Sequence, residues 1–242
     1  MARIGIIGSE GRMGRALVEA IAAAGETHAG GIDMGGDPLA LAKASDVLVD
    51  FSSPKALEAN LDAAASAGVP MVVGTTGLEE RHHFLVDNAA NAIAVLQTGN
   101  TSLGVNMMAW LVREAASRLG DDWDIEIVET HHRMKVDAPS GTALLLGEAA
   151  AEGRGVGLSQ VSVRGRDGIT GAREAGSIGF ASLRGGLVAG DHTVHFLSDY
   201  EHISLRHHAE DRKIFAKGAI RAAQWLIGKD VGRYTMAEVL GL

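Results

Sequence analysis

The chain of 242 residues contains no cysteine. Disulfides, thiolate zinc sites, iron–sulfur clusters and cysteine nucleophiles are therefore all excluded. Aromatic residues make up only 4% of the chain, which disfavours a base-stacking platform for single-stranded nucleic acid. The formal net charge of -8 has the wrong sign for a protein that neutralises nucleic-acid phosphates. We therefore expect no metal–thiolate site and no nucleic-acid partner.

Long hydrophobic runs are also lacking. No stretch approaches the roughly 20 apolar residues that span a bilayer, and the first residues reach glycine and charge too early for a secretory signal. We therefore expect a cytoplasmic protein with no membrane partner. Because 46% of the residues are hydrophobic, the chain can bury an aliphatic core in one large or two modest domains.

Short β-rich runs alternate with alanine-rich helical stretches in the first part of the chain. Strands are predicted at residues 3–7, 29–33, 47–51, 71–73 and 93–96. Helices are predicted at residues 12–24, 54–67, 78–91 and 106–119. This alternation predicts an α/β fold with a Rossmann-like parallel sheet and helices on both of its faces.

The second half of the chain has a different pattern. Strands are predicted at residues 124–130, 160–164, 177–184, 192–197 and 203–207, and an amphipathic helix at 211–227. The scarcity of helix between the last three strands indicates a mixed sheet. We expect the final helix to return to the first domain. The predicted domains are therefore residues 1–102 with 212–242, and a smaller α+β domain at residues 103–211.

The first chemical motif is a glycine loop, which consists of Gly8, Ser9, Glu10, Gly11, Arg12, Met13 and Gly14. It follows a predicted strand and opens a predicted helix. At such a junction, missing side chains let a pyrophosphate reach backbone N–H groups and the positive end of the helix dipole. Its GxxGxxG spacing departs from GxGxxG, so an ordinary tight turn is the alternative. Asp33, at the end of the second predicted strand, favours dinucleotide binding because a carboxylate there can accept from ribose hydroxyls.

Two further loops follow the fourth and fifth predicted strands. The first contains Gly74, Thr75 and Thr76, and the second contains Thr98, Gly99, Asn100 and Thr101. Ligands of doubly wound sheets bind beyond the carboxyl ends of the strands. We therefore expect the loops after strands one, two, four and five to converge on one crevice. The alternative is that the threonines only cap helices.

Two adjacent histidines and a lysine, His131, His132 and Lys135, lie at the end of a predicted strand. A Pro-Ser-Gly helix start follows, where free N–H groups at Gly141 and the Thr142 hydroxyl suit an anion. Adjacent strand residues face opposite ways, so one histidine is expected to donate a proton and the other to grip substrate. Zinc and serine-nucleophile sites are disfavoured, because HExxH and GxSxG are absent. A basic turn before a capped helix is the alternative.

Several segments together resemble the 4-hydroxy-tetrahydrodipicolinate reductase family, formerly called dihydrodipicolinate reductase. They run in the family's order and spacing over nearly the whole chain: GSEGRMG, DFSSP, GTTG, NTSLGVN, HHRMKVDAPSGTAL, IGFASLRGG and FAKGAIRAAQWL. The resemblance implies NAD(P)H-dependent reduction of 4-hydroxy-tetrahydrodipicolinate to tetrahydrodipicolinate with loss of water, in lysine and diaminopimelate biosynthesis. It also implies a homotetramer and a hinge between a dinucleotide-binding domain and a substrate-binding and oligomerisation domain.

The resemblance further implies a role for each matching residue. The residues from Gly8 to Met13 would bind pyrophosphate and Asp33 the adenosine ribose, with Gly74 to Thr76 and Thr98 to Thr101 flanking the nicotinamide. His131 would be the proton donor and Lys135 the second catalytic residue, with His132, Gly141 and Thr142 at the carboxylates of a small dicarboxylate substrate. Two alternatives are a related nicotinamide dehydrogenase and a non-catalytic NADH sensor, which would turn over no substrate.

The sequence also predicts a cofactor preference. A carboxylate at Asp33 repels a 2′-phosphate, Met34 supplies no charge, and the next basic residue along the chain is Lys43, beyond a predicted turn at residues 35–38. We therefore expect NADH to be preferred over NADPH. Arg12 leaves NADPH use open, because its long side chain starts from the glycine loop.

Other polar residues of the second half are given no predicted catalytic role. The histidines at His192, His195, His207 and His208 are expected to be solvated or satisfied by neighbours. The sequence does not decide whether Arg184 and Arg212 meet substrate or pair with the excess of acidic residues.

Overall fold

A computed structural model describes all 242 residues. The chain forms two compact units. The first comprises residues 1–103 and 213–242, and the second comprises residues 104–212. None of the helices combines the length and the apolar character that crossing a bilayer requires.

Eleven strands and nine α-helices make up the two units. The strands are β1 (Arg3–Ile7), β2 (Thr27–Ile32), β3 (Val47–Asp50), β4 (Met71–Val73), β5 (Ala94–Gln97), β6 (Asp124–His131), β7 (Ser162–Val163), β8 (Ile178–Arg184), β9 (Asp191–Leu197), β10 (His202–His208) and β11 (Gly232–Tyr234). The helices are α1 (Arg12–Ala23), α2 (Pro38–Ala44), α3 (Leu57–Ala67), α4 (Glu80–Ala89), α5 (Leu103–Arg118), α6 (Gly141–Gly153), α7 (Leu158–Val161), α8 (Lys213–Leu226) and α9 (Met236–Leu240).

The sheet of the first unit has the strand order β11-β5-β4-β3-β1-β2, and every pairing in it is parallel. One apolar core joins α1, α8 and α9 to the sheet, and a second joins α2, α3 and α4 to it. The predicted Rossmann-like sheet is therefore confirmed. β2 and β3 flank β1 on opposite sides, so the strand order reverses at β1. In such sheets this reversal is where a ligand crevice forms.

The sheet of the second unit has the order β10-β9-β6-β8-β7. β9 is antiparallel to both of its neighbours, whereas β8 is parallel to β6 and β7. The predicted mixed sheet is therefore confirmed. Residues of α5 and α6 form an apolar core with this sheet. Alternate residues of β6 are buried, namely Ile125, Ile127, Glu129 and His131. The apolar face of β6 therefore ends in two ionisable side chains.

Some local predictions were wrong. The strand predicted at residues 160–164 is the helix α7 followed by the two-residue β7, and the Gln160 side chain accepts from the N–H of Gly157 at the start of that helix. The predicted turn at residues 35–38 runs directly into α2, which was not predicted. Asp37 begins this helix by accepting from the N–H groups of Leu39 and Ala40. β11 and α9 were also missed.

Candidate active site and cofactor site

The glycine loop leaves backbone N–H groups accessible at the start of α1. Gly8 has a φ of +88°, a conformation that favours glycine. A Cβ at Gly14 would lie only 2.2 Å from the Gly8 carbonyl oxygen, so only glycine allows this packing. No side chain caps α1 at Gly11. The N–H groups of its first turn are therefore available to an anion, and the loop fits a pyrophosphate.

Asp33 lies beside this loop. Its Oδ2 accepts from the Ser9 hydroxyl at 2.8 Å and from the Glu10 N–H at 2.9 Å. These two hydrogen bonds join the end of β2 to the glycine loop. The carboxylate is thereby held at the sheet edge where the strand order reverses.

A cavity of about 580 Å³ is lined by segments that follow β1, β2 and β3. Its lining includes Gly8, Gly11, Asp33 and Met34. It also includes Lys55, which lies in the segment after β3. Sequence reasoning considered the loops after strands one, two, four and five, and it missed this cation. The position of Lys55 after the third strand could have indicated it, because the carboxyl end of that parallel strand lies at the same sheet edge as those of the other strands.

The remaining residues of the glycine loop are not part of this cavity lining. They are Ser9, Glu10, Arg12, Met13 and Gly14. Arg12 is exposed. Arg12 was the cation expected to leave NADPH use open. In the structure, Lys55 is the cation that lines the same cavity as Asp33.

The loop after β4 is anchored by a buried acid. Thr75 donates through its hydroxyl to Oδ1 of Asp50 at 3.2 Å, and Asp50 also accepts from Ser52 and Asn60. Burial raises the pKa of the Asp50 carboxyl. The Thr75 hydroxyl therefore bonds inside the protein, whereas the neighbouring Thr76 is exposed.

Gly74, in the same loop, packs directly on an aromatic ring. A Cβ there would lie 2.3 Å from Cζ of Phe51, the residue after β3. Glycine is required by this close approach. The segments after β3 and β4 are thus packed against each other at the carboxyl edge of the sheet.

The loop after β5 is anchored on α8. Thr101 donates through its hydroxyl to the carbonyl of Phe215 at 2.7 Å, and a Cβ at Gly218 would lie 1.7 Å from the Thr101 carbonyl oxygen. Thr98 bonds within the loop to Asn100. Gly99 is exposed. The C-terminal helix therefore holds this loop at the same sheet edge as the other loops.

The second unit contains a polar cluster, which we define as Glu129, His131, Ser140, Arg184 and His192. Strand register brings most of it together. β9 places His192 opposite Glu129, and β8 places Arg184 opposite His131. Ser140 joins the cluster from the start of α6. The cluster continues the buried face of β6 beyond its isoleucines.

Glu129 lies at the centre of the polar cluster, and only 1% of its surface is exposed. Its Oε2 lies 2.6 Å from Nδ1 of His131, and Arg184 donates to both of its oxygens at 2.8 Å. The Ser140 N–H also donates to it at 3.2 Å. Burial acts to raise the pKa of Glu129, but hydrogen bonds from Arg184, Ser182 and His131 outweigh it and lower that pKa to about 2. Glu129 is therefore ionised at neutral pH.

His131 is buried at the end of β6. Burial lowers its pKa, and the nearby charges of Lys135 and Arg184 act in the same direction. The hydrogen bond and the charge of Glu129 oppose this shift. His131 is thus an imidazole between one carboxylate and two cations, and histidine is the side chain most often used to exchange protons.

His192 is buried, so of the two predicted alternatives, solvated or satisfied by neighbours, it follows the second at Nε2. It is 4% exposed, and its Nε2 lies 3.0 Å from the Ser140 hydroxyl. Its ring meets the His131 ring edge to face, with centroids 5.0 Å apart. Burial and the neighbouring His131 lower the pKa of His192 to about 4. His192 is therefore a neutral neighbour of His131 at pH 7. The alternation of residues along β9 could have predicted the burial of His192, because Val194 and Phe196 lie on the same buried face of the strand.

Two other histidines of this sheet behave as predicted. His195 pairs with the Ser204 hydroxyl at 2.8 Å, and His208 bonds the Asp191 carboxylate. Both are satisfied by neighbours on the sheet.

The remaining predicted residues of the second unit lie in and after the turn that follows β6. Nε2 of His132 lies 2.8 Å from a guanidinium nitrogen of Arg212, and Nζ of Lys135 lies 2.9 Å from Oδ1 of Asp137. Gly141 and Thr142 are the first two residues of α6. Arg212 thus contacts His132, whereas Arg184 pairs with an acid, Glu129.

These side chains give the second unit a definite chemical character. It combines an imidazole that can move a proton, two cations at Lys135 and Arg212, and the start of a 13-residue helix. Cations and helix N-termini both favour anions. The arrangement suits proton transfer to a bound anionic molecule.

Comparison with known proteins identifies the family. The family model for the N-terminus of dihydrodipicolinate reductase matches residues 2–101, and that for its C-terminus matches residues 104–240. A 4-hydroxy-tetrahydrodipicolinate reductase of Zymomonas mobilis subsp. mobilis is 55% identical over 247 residues, covering 99% of this chain and 97% of its own. One from Parvibaculum lavamentivorans is 52% identical over 265 residues, covering 99% and 98%.

A solved structure shares the fold. The dipicolinate-bound dihydrodipicolinate reductase from Paenisporosarcina sp. TG-14 aligns with a TM-score of 0.76 and 22% identity over 98% of both chains. The two family models together cover nearly the whole chain, and the relatives match it from end to end. The chain therefore belongs to the 4-hydroxy-tetrahydrodipicolinate reductase family of oxidoreductases.

Proposed function

We propose that this protein reduces 4-hydroxy-tetrahydrodipicolinate to tetrahydrodipicolinate with NAD(P)H, in lysine and diaminopimelate biosynthesis. The observation that carries the proposal is the buried His131 held by an ionised Glu129 in a member of this family. A hydride and one proton enter the substrate, and its hydroxyl leaves as water.

A direct assay tests the activity. The protein is mixed with NADH and with substrate generated by the preceding aldolase, and the nicotinamide absorbance is followed. We expect a loss of absorbance that requires both the protein and the aldolase product. Binding of NADH without any turnover would instead support a non-catalytic NADH sensor.

In this proposal the first unit binds the dinucleotide, which supplies the hydride. The residues from Gly8 to Met13 bind its pyrophosphate, and Asp33 binds the adenosine ribose. Gly74 to Thr76 and Thr98 to Thr101 flank the nicotinamide. The uncapped start of α1 and the cavity beside Asp33 support the adenosine end of this assignment.

The second unit binds the dicarboxylate and moves the proton. His131 donates a proton to the carbanion character that hydride addition creates, and the Lys135 ammonium stabilises the developing charge. His132, Gly141 and Thr142 bind the substrate carboxylates. Arg212 lies against His132 and adds positive charge for the same purpose. The relative from Paenisporosarcina was solved with dipicolinate, a dicarboxylate, which supports this class of substrate.

We expect Thr142→Val to raise the KM for substrate while leaving NADH affinity and kcat within a few fold. A hydroxyl at a helix start bonds a carboxylate in the ground state and the transition state alike, so its loss weakens uniform binding. Steady-state saturation curves measure the effect. Thr235→Val is the control, since Thr235 starts α9 in the first unit. Unchanged substrate saturation in Thr142→Val would contradict the assignment.

We also propose that NADH is preferred over NADPH. Asp33 bears a negative charge beside the adenosine cavity, and Met34 is exposed there without a charge. Met34→Arg should raise kcat/KM for NADPH by about 5- to 30-fold, the effect of one partly exposed charge-assisted contact of roughly 1 to 2 kcal/mol. The kcat/KM for NADH should stay within a few fold.

Lys55 reduces the expected preference for NADH over NADPH. It is the cation in the lining of the cavity that contains Asp33, so it can meet a 2′-phosphate. Side-by-side kinetics of wild type, Met34→Arg and Lys55→Met with both cofactors test the two positions. Lys55→Met should reduce NADPH use more than NADH use. If the wild-type protein already uses NADPH better than NADH, the argument from Asp33 and Met34 fails.

We further propose that the protein is a homotetramer that assembles through its second unit. Leu183, Leu187 and Ile203 are exposed apolar residues of that unit. Light scattering on the purified protein measures the oligomeric mass. A cytoplasmic location stays a prediction.

A further inference from the structure

We propose that Glu129 and Arg184 are positioning residues that fix the tautomer of His131, so that Nε2 is the ring nitrogen that moves the proton. The inference rests on the proposed role of His131 as proton donor. It explains why the His131 ring is oriented with Nδ1 toward Glu129.

One ring nitrogen of His131 carries a permanent proton. Nδ1 of His131 lies 2.6 Å from Oε2 of Glu129. An ionised carboxylate only accepts hydrogen bonds, so this contact requires a proton on Nδ1. Nε2 is then the nitrogen that can lose and regain a proton.

The Glu129 carboxylate is itself held by three hydrogen bonds besides its contact with His131. Arg184 donates two hydrogen bonds of 2.8 Å, one to each oxygen of Glu129, and the Ser140 N–H donates a third. Such a paired contact fixes the plane of a carboxylate as well as its charge. Arg184 also donates to the Asp137 carbonyl at 2.6 Å, which ties the pair to the turn that carries Lys135. Glu129 therefore has no freedom to turn away from His131.

Nε2 of His131 faces a glycine. Gly190 lies next to this nitrogen, and a Cβ there would be 3.2 Å from Nε2 and 3.6 Å from Cδ2 of His131. A contact of 3.2 Å is tighter than ordinary van der Waals packing. Glycine at this position thus leaves the reactive side of the ring uncrowded, while the opposite side is bound to Glu129.

The charges that face His131 set the expected pH effect. Glu129 favours the imidazolium, whereas Lys135 and Arg184 oppose it, and the neutral ring of His192 packs edge to face against His131. Removing the negative charge of Glu129 leaves only the opposing cations. Protonation of His131 then requires a lower pH, so the limb of the kcat/KM profile that reports the protonated acid should move to lower pH.

The test compares Glu129→Gln with Glu126→Gln. Glu126 lies on the same strand and is also bound by arginines, Arg166 at 2.8 Å and Arg173 at 3.0 Å, so the control makes the same chemical change in a similar ion pair. We expect Glu129→Gln to lower kcat by about 10- to 100-fold, the usual effect of losing a partner that orients a histidine. The KM for substrate should stay within a few fold, and the alkaline limb of the kcat/KM profile, which reports the protonated acid, should move to lower pH. Glu126→Gln should change neither kcat nor the limb.

A second readout does not depend on turnover. The ¹⁵N shifts of the His131 ring, assigned by comparison with His131→Gln, report which nitrogen is protonated in the neutral state. We expect a proton on Nδ1 in the wild type and in Glu126→Gln, and a mixture of tautomers in Glu129→Gln. If Glu129→Gln does not fold, Arg184→Lys is measured in its place, since it keeps the charge and removes the paired contact.

The outcomes separate this inference from the proposed function. A wild-type proton on Nε2, or an unchanged tautomer and wild-type kcat in Glu129→Gln, overturns the positioning role even when His131→Gln is inactive. Full turnover by His131→Gln overturns the proposed donor itself, and the ring shifts then have no catalytic meaning. A loss of kcat with an unmoved alkaline limb indicates a structural role for Glu129 and also overturns the inference.

Discussion

Replacing His131 with glutamine should lower kcat by about 10²- to 10⁴-fold, the range typical of losing a general acid. Glutamine can still donate a hydrogen bond to Glu129, so the buried carboxylate keeps a partner and the variant should fold. NADH binding should be nearly unchanged, because the proposed dinucleotide site lies in the first unit. Steady-state turnover and a fluorescence titration with NADH measure the two quantities.

The control for this variant is His202→Gln. His202 is an exposed residue at the start of β10 in the same unit, so the chemical change is identical and lies outside the polar cluster. Its kcat should equal that of the wild type. If His131→Gln also turned over at the wild-type rate, the donor assignment would be refuted, whereas weaker NADH binding in that variant would indicate a general disturbance of the protein.

The parallel sheet could be predicted because its signal is local. Apolar runs such as residues 47–51 alternate with alanine-rich helices, and only one architecture buries both. The secondary-structure predictions failed where a single side chain determines where a helix begins. Asp37 starts α2 by capping two N–H groups, and Gln160 bonds the start of α7. Residues 160–164 were interpreted as a strand, and residues 35–38 were interpreted only as a turn.

The polar cluster could be predicted only in part. His131 stands in a specific motif, so the sequence was enough to single it out. Arg184 reaches Glu129 because β8 pairs in parallel with β6, and His192 reaches it because β9 pairs on the other side. These pairings join residues more than 50 positions apart, and local patterns do not specify them. The alternation Ile125, Ile127, Glu129 did indicate that an acid continues a buried face, and that signal was not used.

Replacing Lys135 with alanine should also reduce kcat severely, by about 10²-fold or more, because a preorganised cation near developing charge is worth that much in a water-poor site. Lys135 forms an ion pair with Asp137 at 2.9 Å, and its side chain is 20% exposed. The loss could therefore come from the broken pair. Asp137→Asn is the matched control, since it removes the pair and keeps the ammonium, and its kcat should stay within a few fold of the wild type.

The double variant His131→Gln with Lys135→Ala decides whether the two residues act together. If both stabilise one transition state, removing the first already forfeits most of what the second contributes, and the combined loss of kcat should be smaller than the product of the single losses. The charge of Lys135 also acts to lower the pKa of His131, so the two side chains are coupled before substrate binds. A combined loss equal to the product, measured in the same steady-state assay, would show that they act independently.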